Sequence, residues 1–337
     1  MYNSYMSELP LKRTRFTDED RDTLVDLLLS HKAEYLREFF REHDISGAGN
    51  KQELRERILA GLGNHTLTLS GLVDLLDRIE GWGKQHVYML NVPPAFSTRW
   101  RDTAWVTGHL NRHHLGEMIN QKMPLILPSD PRLSAVLATD TRIQFVWIEK
   151  RTWEERTDVQ FRGDEIIRTY RIYKARGITA FDWDLTSSTA MLRIQQLPRK
   201  SNYKEKKDHF LATLKPLFDV DQLVPVSIGR SIKNIENADE VDSRQVNYKT
   251  PSGSETRFKS SSRTMGYSAD KSITQARNAL GTSVLGYYGN FYWKEQAPLS
   301  QRIHIKIYPE DQRVGMLSQC SESEVRHVLS RIRQLSR

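Results

Sequence analysis

Through the first eighty residues, apolar positions return every third or fourth residue. Leu24, Leu27, Leu28 and Leu29 form a stripe behind Thr17 and an acidic first turn of Asp18, Glu19 and Asp20. A hydroxyl cap followed by acids at the positive end of the dipole predicts a helix start there. Tyr35, Leu36, Phe39 and Phe40 share one face of a second helix, and Leu54, Ile58 and Leu62 share one face of a third that begins behind Asn50. A fourth helix is expected over "SGLVDLLDRIEGWG", capped by Ser70 and ended at Gly81.

The period changes at "KQHVYMLNVPP", which reads as a strand stopped by two prolines. "TAWVTGHLNRHHLGEMINQKM" then predicts a helix running up to Pro124. From Arg142 to Leu197 the segments "TRIQFVWIEK", "EIIRTYRIYKAR", "ITAFDWDL" and "TAMLRIQQL" are β-branched or aromatic and predict strands separated by turns. A helix with Tyr203, Phe210, Leu211 and Leu214 inward follows, then a hairpin turning at residues 251–254. The chain closes with a helix capped by Ser268 and stopped by Gly281, two strands ("TSVLGYYGNFYWK", "QRIHIKIYP") and a final helix.

This order predicts an α+β fold: a helical N-terminal module followed by a mixed, mainly antiparallel α+β body. At 337 residues two or three domains are expected. The divisions fall at 1–84, 85–200 and a basic 201–337, the last two either separate or continuous.

Composition narrows the class. Hydrophobic residues at 38% supply cores, while 27% charged residues and a mean hydropathy of -0.60 describe a very wet surface. No apolar run is long enough to cross a membrane, and the first residues show neither an apolar signal core nor a cleavage site. The single cysteine, Cys320, excludes an intramolecular disulfide and a cysteine-cluster metal site. An intracellular location (cytoplasm, nucleoid or nucleus) is the expectation, with no cofactor.

The net charge of +8 favours an acidic partner, nucleic acid first among them. Its distribution is uneven. Residues 1–62 carry ten basic against twelve acidic side chains, whereas residues 243–277 carry seven against two.

One short stretch carries a recognisable pattern. Leu36, Phe39 and Phe40 precede Ile45, Ser46, Gly49 and Lys51, and Glu53, Leu54, Arg57 and Ile58 follow. Gly47 and Gly49 allow a tight backbone turn, and a helix start beside a lysine suits a phosphate oxygen. Over residues 33–62 these positions resemble the SAP domain, a helix–extended–helix DNA-binding module. The resemblance implies phosphate contacts from Lys51, Arg55 and the amides near Gly49, with Arg37 and Arg41 reaching a neighbouring phosphate. Glu38, Glu42, Asp44 and Glu53 would oppose such contacts unless they face away, and such modules also dock proteins.

Three further patterns offer chemistry. Asp182 and Asp184 alternate with Phe181, Trp183 and Leu185, so the two carboxylates share a strand face and could hold Mg²⁺ for phosphodiester cleavage. The competing expectation is an exposed alternating strand, because the next strand lacks the Glu-x-Lys of restriction-type nucleases. His109, His113 and Glu117 stand at helical spacing without the zincin glutamate, and surface contacts are the simpler account. Arg244, Lys249, Arg257, Lys259, Arg263, Lys271 and Arg277 precede Tyr287, Tyr288, Phe291, Tyr292 and Trp293, a composition that suits a nucleic-acid groove or, equally, a sheet core beside a solvated hairpin. Arg168, Thr169, Arg171, Tyr173 and Arg176 pose the same choice.

The function expected from these features is a non-enzymatic DNA-binding accessory protein that contacts the phosphate backbone largely without sequence preference, through the SAP-like module and the basic C-terminal surface together, working with a partner enzyme and preferring duplex to single strands. A metal nuclease using Asp182 and Asp184 and a protein-interaction scaffold in a multiprotein complex are the alternatives.

Overall fold

The computed structural model describes residues 17–197, 201–261, 266–267, 270–281 and 283–336, with the side chains of Glu155 and Tyr173 outside that description. The fold is α+β. Four helices come first: α1 (Asp18–Ser30), α2 (Ala33–Glu42), α3 (Lys51–Gly63) and α4 (Leu69–Gly81). Then follow β1 (Gln85–Asn91), α5 (Pro94–Trp100), α6 (Thr103–Arg112), β2 (Arg132–Ala138), β3 (Arg142–Arg162), β4 (Glu165–Asp184) and β5 (Thr189–Gln195). The remainder comprises α7 (Tyr203–Leu214), β6 (Val224–Pro225), α8 (Ser231–Asn237), β7 (Val241–Lys249), β8 (Glu255–Lys259), α9 (Lys271–Ala279), β9 (Leu285–Trp293), β10 (Ile303–Tyr308), β11 (Arg313–Met316) and α10 (Glu322–Leu335).

The chain divides into two compact units that interleave along the sequence. Unit 1 holds the described residues of 1–81 with 114–138 and 144–180, and unit 2 holds 82–113, 139–143 and 181–337.

In unit 1, α1 starts on a capping box in which Thr17 and Asp20 satisfy each other's backbone N–H groups. Leu24, Leu28, Leu36, Phe40, Leu54, Ile58, Leu72 and Leu76 from the four helices are fully buried together. The strands β2, β3 and β4 lie side by side, with Ala135, Val146, Ile148, Ile178 and Ala180 inside a second core. Arg176 is buried where a surface residue was expected. Its guanidinium donates to Asp77 Oδ1 at 2.8 Å, Glu80 Oε2 at 2.5 Å and the Pro124 carbonyl at 3.1 Å. Burial raises the Asp77 carboxyl to about 7 against the pull of Arg176.

In unit 2, the C-terminal end of β4 is followed by β5, β1, β11, β10, β9, β7 and β8, with β6 attached to β1. The pairings β5–β1–β11–β10–β9–β7–β8 are all antiparallel. Alternation sends Val87, Val246, Phe291, Ile303, Ile305, Ile307 and Val314 to one face, where they pack with Ile232 and Ile235 of α8 and Val325, Val328 and Ile332 of α10. On the other face, Trp100 of α5 meets Trp183 and Phe218 at ring distances of 5.5 and 5.8 Å, over the β4 end of the sheet.

Several elements differ from expectation, each for a local reason. The helix expected to reach Pro124 stops at Arg112, where His113 caps it and His114 takes a left-handed φ of 58°. His109, His113 and Glu117 therefore do not share a helix face. "EIIRTYRIYKAR" and "ITAFDWDL" form one strand instead of two, because Gly177 sits in extended backbone with the Arg151 side chain filling its missing Cβ space. The α4 start moves from Ser70 to Thr68, whose hydroxyl accepts from the Gly71 N–H. Ser268 lies outside the described residues, and Asp270 caps α9. Among the described residues, no helix is long and apolar enough to cross a membrane.

Candidate nucleic-acid interface

The residues quoted for the SAP resemblance form helix, extended link and helix. Gly49 adopts a φ of +106°, which a side chain would resist. Asn50 caps α3 by accepting from the N–H groups of Gln52 and Glu53, while Glu53 Oε2 accepts from the Asn50 N–H at 2.7 Å. This capping box consumes the amides offered as a phosphate seat and places a carboxylate beside Gly49, where a Cβ would come within 2.0 Å of Glu53 Oε2. Most of the basic side chains are engaged with α1 or with the link. Lys51 Nζ donates to the Leu29 carbonyl at 2.5 Å, and Arg55 pairs with Asp26 and, at 3.8 Å, with Asp22. Arg37 donates to the Gly47 and Gly49 carbonyls at 3.2 and 3.1 Å, and Arg57 to those of Ser46 and Ala48. Arg37 and Arg57 thus clamp the extended link, a role that their charge alone did not signal. Arg41 is exposed.

The basic and aromatic C-terminal stretch divides between the two faces of the unit 2 sheet. Phe291 and Trp293 are core residues, whereas Tyr288 and Tyr292 alternate onto the opposite, half-exposed face. Cross-strand register brings His304 beside Tyr292 and Lys306 beside Asn290. It likewise sets Asn247 beside Tyr288, Arg257 beside Asn247 and Lys259 beside Gln245. The Tyr292 and His304 rings stack at 4.5 Å, and Tyr288 meets Tyr308 edge-on at 5.6 Å. The guanidinium groups of Arg302 and Arg244 lie 4.4 and 5.9 Å from the Tyr292 ring centre. Burial, together with the positive charges of Lys306, Arg244, Lys84 and Arg302, pushes His304 down to about 4, so its ring is neutral at pH 7.

This face continues onto β1 and β11, where it is closed. Arg313 stacks between Tyr308 and Tyr203 at 4.0 and 4.7 Å, and Tyr203 of α7 covers His86 at 4.0 Å. Gly315 leaves room for His86, since a Cβ there would meet the imidazole at 2.9 Å.

Not every expected residue reaches the open face. Arg277 lies near Glu236 at 3.7 Å, at a buried site where Tyr248 and Tyr267 also donate to Glu236. Lys249 faces Glu255 at the hairpin end, Lys271 opens α9 in solvent, and Arg263 lies outside the described residues. His304, Lys306, Tyr308 and Arg302 were missed in the sequence. The only available signal was the strict alternation of "IHIKIY" with core isoleucines.

Asp182 is buried, contrary to the expected exposed strand. It accepts from Arg142 Nε at 3.0 Å and from Arg326 Nη2 at 3.2 Å to each oxygen, with Arg193 3.8 Å away. Burial opposes its charge, but Arg142, Arg326 and Arg193 together hold the carboxyl down at about 2. Asp184 closes the turn after β4 by accepting from the Thr186 and Ser187 N–H and hydroxyl groups. A cavity of about 340 Å³ opens beside Asp184, Arg326 and Arg333. Among the described residues, no group of three His, Cys, Asp or Glu side chains is placed to hold a metal ion.

No protein-family model matches the chain, and no curated protein matches it as a relative.

Proposed function

We propose that the chain is a nucleic-acid-binding accessory protein whose main contact is the open sheet face formed by β7, β8, β9 and β10. The observation that carries this reading is the alternation of π-faces and cations on that surface. Tyr288, Tyr292 and neutral His304 stand among Arg244, Arg257 and Lys306, with Arg302 paired to Asp242 at 2.5 Å and Tyr308 covered by Arg313 at the margin. Cations hold a phosphate backbone, and each base stacked on an aromatic ring is worth about 1–3 kcal/mol. Because duplex bases are already stacked on each other, such a platform favours single strands, DNA or RNA. The helix–link–helix of α2 and α3 is assigned a secondary role, since Arg37 is engaged with carbonyls of the link and Lys51 and Arg55 with a carbonyl and a carboxylate of α1, which leaves Arg41 exposed.

Fluorescence anisotropy with a labelled fifteen-nucleotide oligo(dT) and a duplex of equal length tests the reading across a salt series. With three or four phosphates held, the logarithmic salt slope is expected to be about -2 to -3 for the single strand. Tyr292→Ala should weaken binding by about 5- to 150-fold, one lost stack, and Lys306→Ala should flatten the slope by about 0.7. Unchanged affinity of Tyr292→Ala, or retention that ignores salt, would sink the proposal.

A further inference from the structure

Eight large apolar side chains stand exposed among the described residues, and six of them lie on one feature. Trp153, Phe161, Ile166, Ile167, Tyr170 and Ile172 all belong to the outer half of the β3–β4 hairpin. These strands run 21 and 20 residues, whereas their neighbours β2 and β5 have only seven each and cannot cover them. Between Trp153 and Lys174 nearly every described residue is exposed. The result is a two-stranded ribbon turning through Gly163 and Asp164, with Gly163 at a φ of 58°.

A two-stranded ribbon is marginal in water, and a third strand or a packed layer is what normally stabilises one. The backbone N–H and C=O groups along a strand's outer edge are templates for another strand. The two edges differ in charge. Over residues 166–174, β4 carries Arg168, Arg171 and Lys174 with no acid, while residues 153–161 of β3 carry three acids and one base. Alternation along β4 sets Ile166, Tyr170 and Ile172 on one face and Arg171 on the other, with Arg168 and Lys174 flanking the apolar side chains.

These features select the occupant. A second copy pairing β4 against β4 would set bases opposite bases, which is destabilising. Pairing β4 with the acidic β3 of another copy is a head-to-tail contact that builds rings or open polymers instead of a two-fold dimer. Aliphatic Ile166 and Ile172 offer nothing to a phosphate backbone. We propose that the outer edge of β4 from Ile166 to Lys174 is a strand-addition site for an extended segment of a partner protein in which apolar residues alternate with acidic ones. The main chains zip together, the apolar side chains lie beside Ile166, Tyr170 and Ile172, and the carboxylates meet Arg171, with Arg168 and Lys174 adding positive charge at the flanks.

The test uses the full chain and capped ten-residue peptides in which isoleucine alternates with glutamate, lysine or threonine. The glutamate peptide is expected to bind and to slow amide exchange within residues 166–174. The lysine peptide should bind about 2- to 5-fold more weakly, the size of one reversed cross-strand charge pair at Arg171. The triple variant Arg168→Glu, Arg171→Glu, Lys174→Glu should transfer the preference to the lysine peptide, a swap that misfolding does not produce. Failure of the glutamate peptide to bind, equal binding of all three, or protection outside the ribbon overturns the proposal. So does peptide-independent protection that grows with protein concentration, which marks self-association, or displacement of the peptide by oligo(dT), which marks a nucleic-acid site. Failure of the peptide to bind leaves the reading of the sheet face that carries the proposed function unchanged.

Discussion

Replacing Asp182 by asparagine keeps the shape of the side chain and removes one charge from a dry cluster. In the wild type two oxygens serve Arg142 and Arg326, with Arg193 close by, and Glu322 is the second acid, accepting from Arg142 at 2.9 Å and Arg326 at 2.8 Å. A carboxyl held at about 2 instead of 3.8 corresponds to about 2.5 kcal/mol of preference for its charged form. Removing one partner of a buried ion pair costs about 3–5 kcal/mol, because the remaining charges lose their compensation. Asp182→Asn should therefore destabilise unit 2 by about 3 kcal/mol at pH 7, read from urea unfolding followed by tryptophan fluorescence. The sign of the pH dependence is set by the lowered carboxyl: its stabilisation is complete above about 3.8 and is lost as pH falls toward 2. The gap between wild type and variant should shrink by roughly 1 kcal/mol between pH 6 and pH 3. A gap below about 1 kcal/mol at pH 7, or one that does not change with pH, would refute the reasoning.

Two further changes probe unit 1. Asp77 is raised to about 7 by burial, so the folded protein pays for ionising it as pH rises from 3.8 through 7. Asp77→Asn should accordingly gain stability relative to wild type between pH 5 and pH 8, measured by thermal unfolding at both, and a constant difference would count against the assignment. Gly49→Ala forces a side chain into a φ of +106° and onto Glu53. It should cost about 1–3 kcal/mol and disrupt the α3 cap, visible as faster amide exchange at Gln52 and Glu53.

Elements with strong local chemistry were legible in the chain. Thr17, Asn50 and the terminal helix all carry caps whose partners lie within three residues, so short-range hydrogen bonding alone determines where those helices begin. The apolar stripe through Leu36, Phe39 and Phe40 and the alternation of "IHIKIY" set which side chains turn inward, because helix and strand periods are properties of the backbone. The α+β class followed from those periods.

What the sequence could not decide was where charged and aromatic residues end up. "FDWDL" and "RTYRIYKAR" read as amphipathic strands, yet Asp182 and Arg176 are fully buried. Their partners Arg142, Arg326, Asp77 and Glu80 lie 40 to 144 residues away, and only the fold brings them within hydrogen-bond distance. The same holds for the platform of Tyr288, Tyr292, His304 and Lys306, which exists because β9 and β10 pair in one register, and a slip of one residue would send every ring into the core. Local pattern, set by backbone geometry, determined the elements and their inward faces. Burial of charge and the assembly of a surface depend on long-range pairing, and only the tertiary structure decided those.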